Sequence, residues 1–300
     1  EVTQTVYDLV NANWDGITSD QVPVQAKNLR NRVSYTRYYS NPGTGGPNGI
    51  NYDQASFYSY DIHGNVDTLI QDYGTSTATV TNAKDMMNNT GFHNRFKRIL
   101  YQYDLISGKV NHVAYQPQYV KGNNIYRPSD AMYHRYEYDA ENRITAVYTS
   151  TDSIIWENDA AYKYYKHGPL ARTELGEQRV QGLDYAYTLQ GWLKGVNSSS
   201  LAAANDIGQD GLSSNSTNKW VARDALGFSL NYFNGDYSSI FAGAGTQSMP
   251  LHTQAQGISN GLPGSAYKPL YNGNISSMVV NTDKLTIVNA TGTSTTTGAI

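Results

Sequence analysis

Six histidines are the side chains of this sequence that could most readily bind a metal or transfer protons near neutral pH. His63 and His167 each precede a glycine in a recurring turn phrase, which predicts a role in the turn rather than in metal binding. The other four are scattered, without an H-E-x-x-H pair or a close acidic partner: His93, His112, His134 and His252. We therefore expect structural or surface roles for the histidines, and no metal ligand.

The aspartates form two further patterns that could do chemistry. Asp206–Gly211 reads DIGQDG and is similar to the start of a calcium loop, but Gly208 stands at the third position. Thr217 stands where a bidentate glutamate is needed, so we predict a solvated loop, with calcium binding as the alternative. In the second pattern, each aspartate directly follows a tyrosine, and capping of a turn explains its position: Asp8, Asp61, Asp104 and Asp139.

Motifs of nucleophilic or nucleotide-dependent enzymes are absent from the sequence. There is no G-x-S-x-G elbow, phosphate-binding loop or dinucleotide fingerprint, and Gly227–Leu230, GFSL, resembles the elbow only superficially. The lack of cysteine excludes disulfides, thiolate zinc sites and cysteine nucleophiles. The Asn-x-Ser/Thr triplets lie in predicted loops or in the repeat and carry little weight: Asn88, Asn197, Asn215, Asn274 and Asn289. We predict no catalytic or cofactor-binding residue and no enzymatic activity.

The turn phrase around His63 organises the chain. It reads YDIHGNV at Tyr60–Val66 and returns, altered, at Tyr103–Val110, Tyr138–Ile144, Tyr164–Leu170 and Tyr187–Leu193, with a degenerate copy at Tyr271–Ile275. A strand arrives, Asp bonds nearby amides, and Gly or Asn takes a positive-φ position before the strand returns. That position is filled by Gly64, Gly108, Asn142, Gly168 and Gly191. Each of the five clear copies therefore predicts a β-hairpin.

Successive copies begin 43, 35, 26 and 23 residues apart, which indicates a repeat array. Irregular spacing favours a spiralling sheet over a propeller, whose blades are of near-constant length. We predict one sheet segment over residues 1–300, with its clearest repeats at 55–197 and 220–280. Inserted loops are expected at 198–219 and 241–266 and a frayed tail at 281–300, and residues 116–131 also read as a loop.

Composition limits the function further. The 26 Tyr against 6 Phe indicate many half-exposed packing positions, which suit a sheet with two accessible faces. The net charge is −3 and both signs are mixed along the chain, so there is no basic stripe that would bind nucleic acid. The sequence contains no apolar run of about 18 residues, the length that a transmembrane helix needs. The chain begins EVTQTVYDLV, without an initiator Met or a signal segment. We expect an internal or truncated piece of a longer polypeptide.

The phrases have the general form of the YD repeat, Y-D-x-x-G-[NR]-[LIV]-x-x-[VI]. The chain resembles RHS (rearrangement hotspot) and YD-repeat proteins, whose relatives include Tc toxin C-components and teneurins. Stretches similar to surface proteins of the Bacteroidetes type cover residues 55–280 with gaps: YHRYEYDAENRITAVYTS, YYKHGPLARTELG, VQGLDYAYTLQGWLKGVN, ARDALGFSLNYFNGDY and PLYNGNI. The resemblance implies an all-β fold of stacked antiparallel hairpins in a long curved or spiralling sheet, part of an RHS-type β-shell that commonly encloses a C-terminal toxin.

The sequence departs from that family in the plug region, and its tail after Val280 also drifts from the repeat pattern. The family's DPxGRxxxxDPxG plug, whose aspartates serve self-cleavage, is missing, since the chain has no Asp-Pro pair. We therefore expect neither self-cleavage nor toxicity from these 300 residues. The resemblance implies a non-catalytic segment of a large secreted or cell-surface bacterial protein, partnered by the rest of its own polypeptide and a C-terminal toxin cargo. The alternative is an adhesin that binds surface carbohydrate through exposed Tyr rows.

Overall fold

The computed structural model describes residues 1–8, 26–40, 52–73, 96–121, 124–126, 128, 130–197, 201, 206–214, 217–233, 235–237, 269–282, 286–288 and 294–296. Its regular structure is entirely β within these ranges. Over the same residues, no helix has the length and apolar character needed to cross a membrane. His93, His252, Asn88, Asn215, Asn289 and the predicted loop at 241–266 lie outside the described residues.

The strands have the following bounds: β1 (Val2–Tyr7), β2 (Val33–Tyr39), β3 (Gln54–Tyr60), β4 (Val66–Asp72), β5 (Phe96–Tyr103), β6 (Val110–Tyr115), β7 (Tyr119–Lys121), β8 (Asn124–Tyr126), β9 (Met132–Tyr138), β10 (Ile144–Ser150), β11 (Glu157–Tyr164), β12 (Leu170–Leu175), β13 (Gln181–Tyr187), β14 (Leu193–Val196), β15 (Leu226–Asn231), β16 (Ser277–Thr282), β17 (Thr286–Val288) and β18 (Ser294–Thr296).

Fourteen of these strands pair in chain order, from β1 to β6 and from β9 to β16, in one antiparallel sheet. The all-β fold of stacked antiparallel hairpins is therefore confirmed. Two details differ from prediction. Residues 116–131, predicted as a loop, contain the two-stranded β7–β8 ladder, and the predicted frayed tail contains the end of β16 and the β17–β18 ladder.

The five clear copies of the phrase share one set of backbone bonds. The residue after the phrase tyrosine donates its N–H to the carbonyl just before the return strand, at 2.8–2.9 Å: Asp61 to Asn65, Asp104 to Lys109, Asp139 to Arg143, Tyr165 to Pro169 and Thr188 to Trp192. The positive-φ residue closes the turn, with φ of 98° at Gly64 and 62° at Asn142. The hairpin prediction is thus confirmed, since Asn replaces Gly where φ is positive.

Asp61, Asp104 and Asp139 cap these turns, as predicted, whereas Asp8 Oδ1 accepts the N–H of Asn31, which is 23 residues away in the sequence. Asp61 Oδ1 accepts the N–H of Gly64 at 2.7 Å, and Asp104 Oδ1 accepts that of Ser107 at 2.7 Å. Amide hydrogen bonds hold the pKa of Asp104 below its ordinary value, since they favour the ionised carboxylate. The pKa values of Asp61 and Asp139 are also lowered, because the hydrogen bonds outweigh the opposing effect of burial.

A tyrosine hydroxyl joins successive hairpins. The hydroxyl donates to the carbonyl of the residue that starts the return strand of the preceding hairpin: Tyr60 to Val33 (2.9 Å), Tyr103 to Val66 (2.8 Å), Tyr138 to Val110 (2.7 Å), Tyr164 to Ile144 (2.8 Å) and Tyr232 to Leu193 (2.8 Å). We call this contact the tyrosine staple. It gives a physical reason for choosing Tyr over Phe at these positions, because Phe has no hydroxyl to donate.

The chain divides into two compact units, with the division inside β10: residues 1–143 and 148–156, and residues 144–147 and 157–300. The first unit has an apolar core, in which Phe57 and Ile70 are almost fully buried, and its members are Tyr35, Tyr39, Tyr52, Ala55, Phe57, Ile70 and Phe96. The second unit buries several charged side chains, among them Arg172, Glu174, Asp184 and Lys194. That a single segment spans residues 1–300 stays a prediction.

Candidate functional site

Two adjacent strands of the second unit bring charged side chains together. Arg172 and Glu174 are two residues apart on β12, so both lie on one face of the sheet. Asp184 on β13 pairs directly opposite Arg172 in the antiparallel register. All three are buried. The register therefore places one guanidinium group beside two carboxyl groups.

The segment after β14 adds two more carboxyl groups. Asp206 and Asp210 are 5% and 1% exposed, and the N–H of Asp210 donates to Asp206 Oδ2 at 2.9 Å. The side-chain amide of Asn218 donates to the carbonyl of Gly208 at 2.8 Å, which ties this segment to the one that follows it. The prediction of a solvated loop at Asp206–Gly211 is wrong, because the two aspartates turn inward to the buried charges of the sheet.

Asp224 is the last member of the group. Gln181 Nε2 lies 3.4 Å from Asp224 Oδ1, at the point where Gln181 forms a β-bridge with Ala222. Asp224 is buried, and its carboxyl group interacts with that of Asp206. We call this set the carboxylate cluster: Arg172, Glu174, Asp184, Asp206, Asp210 and Asp224.

Arg172 bonds three members of the cluster with its guanidinium group. Its Nε donates to Glu174 Oε1 at 3.0 Å and one Nη to Asp210 Oδ1 at 2.7 Å, while the other Nη donates to Asp184 Oδ2. Burial alone would lower the pKa of Arg172, but the bonds to the three carboxylates raise it above its ordinary value. Arg172 is therefore a permanent buried cation that fixes the positions of these carboxyl groups.

Glu174 has cationic partners besides Arg172. Lys163 Nζ lies 2.6 Å from Glu174 Oε1, and Arg179 Nε lies 3.4 Å from Glu174 Oε2. Burial would raise the pKa of Glu174, but the hydrogen bonds and charges of Lys163 and Arg172 lower it overall. Glu174 is therefore ionised and neutralised within the cluster.

Two glycines leave room for these side chains. A Cβ at Gly182 would overlap Asp210 Oδ2 and the guanidinium group of Arg172. A Cβ at Gly208 would overlap the same guanidinium group and Asp184 Oδ2. Both backbones thus approach the charged groups at a distance that only glycine permits.

Three aspartates of the cluster hold protons more tightly than usual. Burial raises the pKa of Asp184 to about 7, with Asp206 and Asp210 adding to the rise and Arg172 opposing it. Burial and the neighbouring Asp206 raise the pKa of Asp224 to about 8. Burial also raises the pKa of Asp210. The cluster can therefore hold protons or a cation near neutral pH, and its depth leaves no direct access for a large substrate.

A second buried ion pair lies beyond the cluster. Lys194 Nζ donates to Asn231 Oδ1 at 2.9 Å and to both carboxylate oxygens of Asp236, at 2.8 and 2.9 Å. Asp236 Oδ2 also accepts the N–H of Tyr232 at 2.9 Å. These hydrogen bonds satisfy both the ammonium group of Lys194 and the carboxylate of Asp236, so the ion pair is a structural contact rather than a reactive one.

The histidines lie where a structural role is expected. His63 is half exposed in its turn, with Nδ1 4.0 Å from Asp61 Oδ2, and the ring of His167 stacks on Tyr165. The ring of His112 packs edge-on against Trp156, with centroids 5.6 Å apart. Burial lowers the pKa of His112, and Arg135 lowers it further. In the described residues, no histidine is part of a group with metal-ligand spacing.

Two other residues considered from sequence are buried. Ser229 is fully buried within β15, so it does not stand on an exposed nucleophile turn. Asn197 uses its side chain inside the fold: Oδ1 accepts the N–H of Asp184 at 2.9 Å, and Nδ2 donates to the carbonyl of Leu226 at 2.9 Å. Neither residue is accessible for chemistry at the surface.

Sequence reasoning missed the cluster as a site. Of its members, only Asp206 and Asp210 belong to a pattern typical of a metal site, and that pattern predicts a solvated loop. One signal was available: Arg172 and Glu174 occupy alternate positions of β12, so both charges fall on one face. Charges on one face of a strand require partners when that face is covered.

Neither a protein-family model nor a curated protein matches the chain. Similar solved structures include a TcdB2–TccC3 crystal structure with Cdc42 and one without it, each with 12% identity, 77% of this chain covered and a TM-score of 0.41. A TcdB2–TccC3–TEV structure has 13% identity, 65% coverage and a TM-score of 0.39. The chain spans about 8% of the length of each. The resemblance to YD-repeat proteins is seen in the fold, since the phrase builds the stacked hairpins that it implies.

Proposed function

We propose that the chain is a non-catalytic structural segment of a larger secreted or cell-surface bacterial protein. In that protein, its hairpins form part of an RHS-type β-shell that encloses or presents a C-terminal effector. The observation that carries the proposal is the tyrosine staple, which joins each stapled hairpin to the one before it by the same bond. A contact that depends only on the repeat can be extended to any number of hairpins.

The ends of the sheet support extension into a longer wall. In the described residues, β1 and β16 each have a hydrogen-bonded neighbour on one side only. Long strands with an open edge are prone to pair with another chain unless more of the protein covers them. Further hairpins of the same polypeptide would cover both edges, which makes the rest of that polypeptide the principal partner.

The burial of the titratable groups supports a non-catalytic role. The carboxylate cluster holds the strongest pKa shifts of the described residues, but Glu174 and Asp210 are each only 1% exposed. A general acid or base must come within hydrogen-bonding reach of the group it serves. Carboxyl groups covered by their own loop have no such reach towards a bulky substrate.

Removing a staple hydroxyl is expected to destabilise the sheet. Tyr103→Phe and Tyr138→Phe should each lower the free energy of unfolding by about 1 kcal/mol, because each removes one part-buried hydrogen bond. Urea unfolding of the purified chain measures the change. Tyr7→Phe is the control, since Tyr7 is exposed and should lose almost nothing. Equal losses for all three variants would show that the staple does not hold the hairpins together.

Electron microscopy of the longer native polypeptide tests the shell itself. The expected result is a hollow body whose wall contains this segment, with separate density for an effector inside it or at its opening. A solid globular body, or a sheet that encloses no space, would overturn the proposal.

A surface-binding adhesin remains a second candidate because of one cleft. Asp61, His63 and Asn65 of the first phrase line it together with Tyr101 and Tyr103. The two tyrosine rings lie on one face of β5 with centroids 6.4 Å apart, and polar groups beside aromatic rings suit a sugar. Glycan-array binding lost in Tyr101→Ala and kept in Tyr7→Ala would favour this function. Absence of glycan binding by the unaltered chain would exclude it.

A further inference from the structure

Three aspartates of the carboxylate cluster each have a carboxylate oxygen that accepts no hydrogen bond. These atoms are Asp206 Oδ1, Asp210 Oδ2 and Asp224 Oδ2. All three side chains are more than nine-tenths buried. A buried polar atom without a partner loses its hydration and gains nothing in return, which costs about 1–3 kcal/mol and more for a charged group.

The cluster has more negative charge than its cations can balance. Arg172 is committed to Glu174, Asp184 and Asp210. Within the described part of the chain, Asp206 and Asp224 form no ion pair, although their carboxyl groups interact with each other. Two ionised carboxylates accept hydrogen bonds and donate none, so a proton or a cation must lie between such neighbours.

The spacing of the oxygens fits a metal ion. One carboxylate oxygen from each of Asp184, Asp206 and Asp210 lies within 4.8 Å of the other two. Calcium binds oxygen at about 2.3–2.6 Å, so ligands on opposite sides of the ion are separated by about 4.6–5.2 Å. Magnesium binds at about 2.0–2.1 Å and requires a near-octahedral shell, for which the same ligands would have to move closer.

We propose that Asp184, Asp206 and Asp210 bind a divalent cation of the calcium type. Asp224 lies beside them and adds negative charge near the ion. This site lies apart from the tyrosine staples and does not depend on the shell function. In it, Asp206 and Asp210 provide the oxygens that have no partner, and Asp184 provides the third ligand from β13.

The ligands are positioned by bonds that already exist. Arg172 fixes Asp184 and Asp210 from one side, and the N–H of Asp210 fixes Asp206 through its Oδ2, so that Oδ1 remains available to the ion. The ion would therefore hold the 206–214 segment against β13. The ligand of the site is the cation itself. Bound there, the cation holds the 206–214 segment on the sheet.

The experiment starts from the full chain treated with a chelator and then dialysed. Isothermal titration with CaCl2 should show saturable binding, and CaCl2 should raise the Tm more than MgCl2 does. Absence of saturable calcium heat together with an unchanged Tm would overturn the proposal.

Neutral variants locate the ion. Asp206→Asn and Asp224→Asn should weaken calcium binding by at least about tenfold, since each removes a negative charge from the site. Glu141→Gln is the control, because Glu141 is an exposed turn residue and its loss should leave the affinity unchanged. Without calcium, both Asn variants should be at least as stable as the original chain, since repulsion is removed. Full calcium affinity in both Asn variants would overturn the assignment, and terbium luminescence of the unaltered chain, displaced by CaCl2, tests binding without any substitution.

Discussion

Arg172→Met is expected to lower the free energy of unfolding by about 3–5 kcal/mol when measured in chelator at about pH 8. The substitution removes the buried cation of the carboxylate cluster and leaves Asp184 and Asp210 without their charged partner. Met has a similar volume to the aliphatic part of Arg, so the loss reports charge rather than a cavity. Chemical denaturation of both proteins measures the difference.

Arg179→Met is the matched control for this prediction. Arg179 also contacts Glu174 but is 59% exposed, so its charge is screened by water and its loss should cost less than about 1 kcal/mol. The loss of unfolding free energy caused by Arg172→Met should also be smaller at about pH 5. At that pH the carboxyl groups that have lost Arg172 as a partner can take up protons. Equal effects of the two substitutions, or a cost of Arg172→Met that does not change with pH, would contradict the cluster described here.

The second large effect is a loss of stability as the pH rises. In chelator, the free energy of unfolding should fall by a few kcal/mol between about pH 5 and pH 8, since a tenfold change in proton affinity corresponds to about 1.4 kcal/mol. Burial and Asp206 raise the pKa of Asp224 from 3.8 to about 8. The folded state therefore binds more protons than the unfolded state in this range. The stability is fully present below the unfolded pKa and is lost as the pH rises through the folded pKa.

Asp224→Asn isolates this contribution. The variant has no proton to lose at that position, so its stability should change less over the same pH range. His112 acts in the opposite direction, because burial lowers its pKa and favours its neutral form as the pH rises. The informative quantity is therefore the difference between the two proteins at each pH. A difference that is constant from about pH 5 to pH 8 would show that Asp224 does not titrate there.

The capped turns set the acid limit of stability. Amide hydrogen bonds lower the pKa of Asp104, and they do the same for Asp61 and Asp139 against the opposing effect of burial. Their contribution is present above the unfolded pKa and is lost as the pH falls through the folded pKa. In chelator, the protein is consequently most stable in mildly acidic solution. This range lies above the pH at which the turn aspartates take up protons and below the pH at which the carboxylate cluster loses them.

The hairpins could be predicted because their determinants are local. In Tyr60–Val66, the Asp and Gly that close the turn lie within four residues of their partners, so spacing alone specifies the bonds. β2, β6, β9 and β10 begin and end where the pattern of β-forming residues does. The phrase also correctly assigned His63 to a turn.

The partner of the phrase tyrosine could not be predicted in the same way. The hydroxyl of Tyr103 reaches the carbonyl of Val66, 37 residues earlier, and only the stacking of one hairpin on the next brings these atoms together. The sequence indicated that Tyr was favoured over Phe, but not where its hydroxyl would bond. The staple is a property of the assembled sheet.

The carboxylate cluster depended on tertiary structure alone. Arg172 and Asp210 are 38 residues apart, and the DIGQDG segment has the composition of a solvated loop. Whether its aspartates face water or Arg172 depends on which strand the segment covers, and burial then sets their pKa values. The sequence by itself determined the turns of the repeat and the strands that flank them, because neighbouring residues specify them. The contacts between hairpins and the buried charges were decided by the tertiary structure, because long-range packing alone determines which charges lose their water.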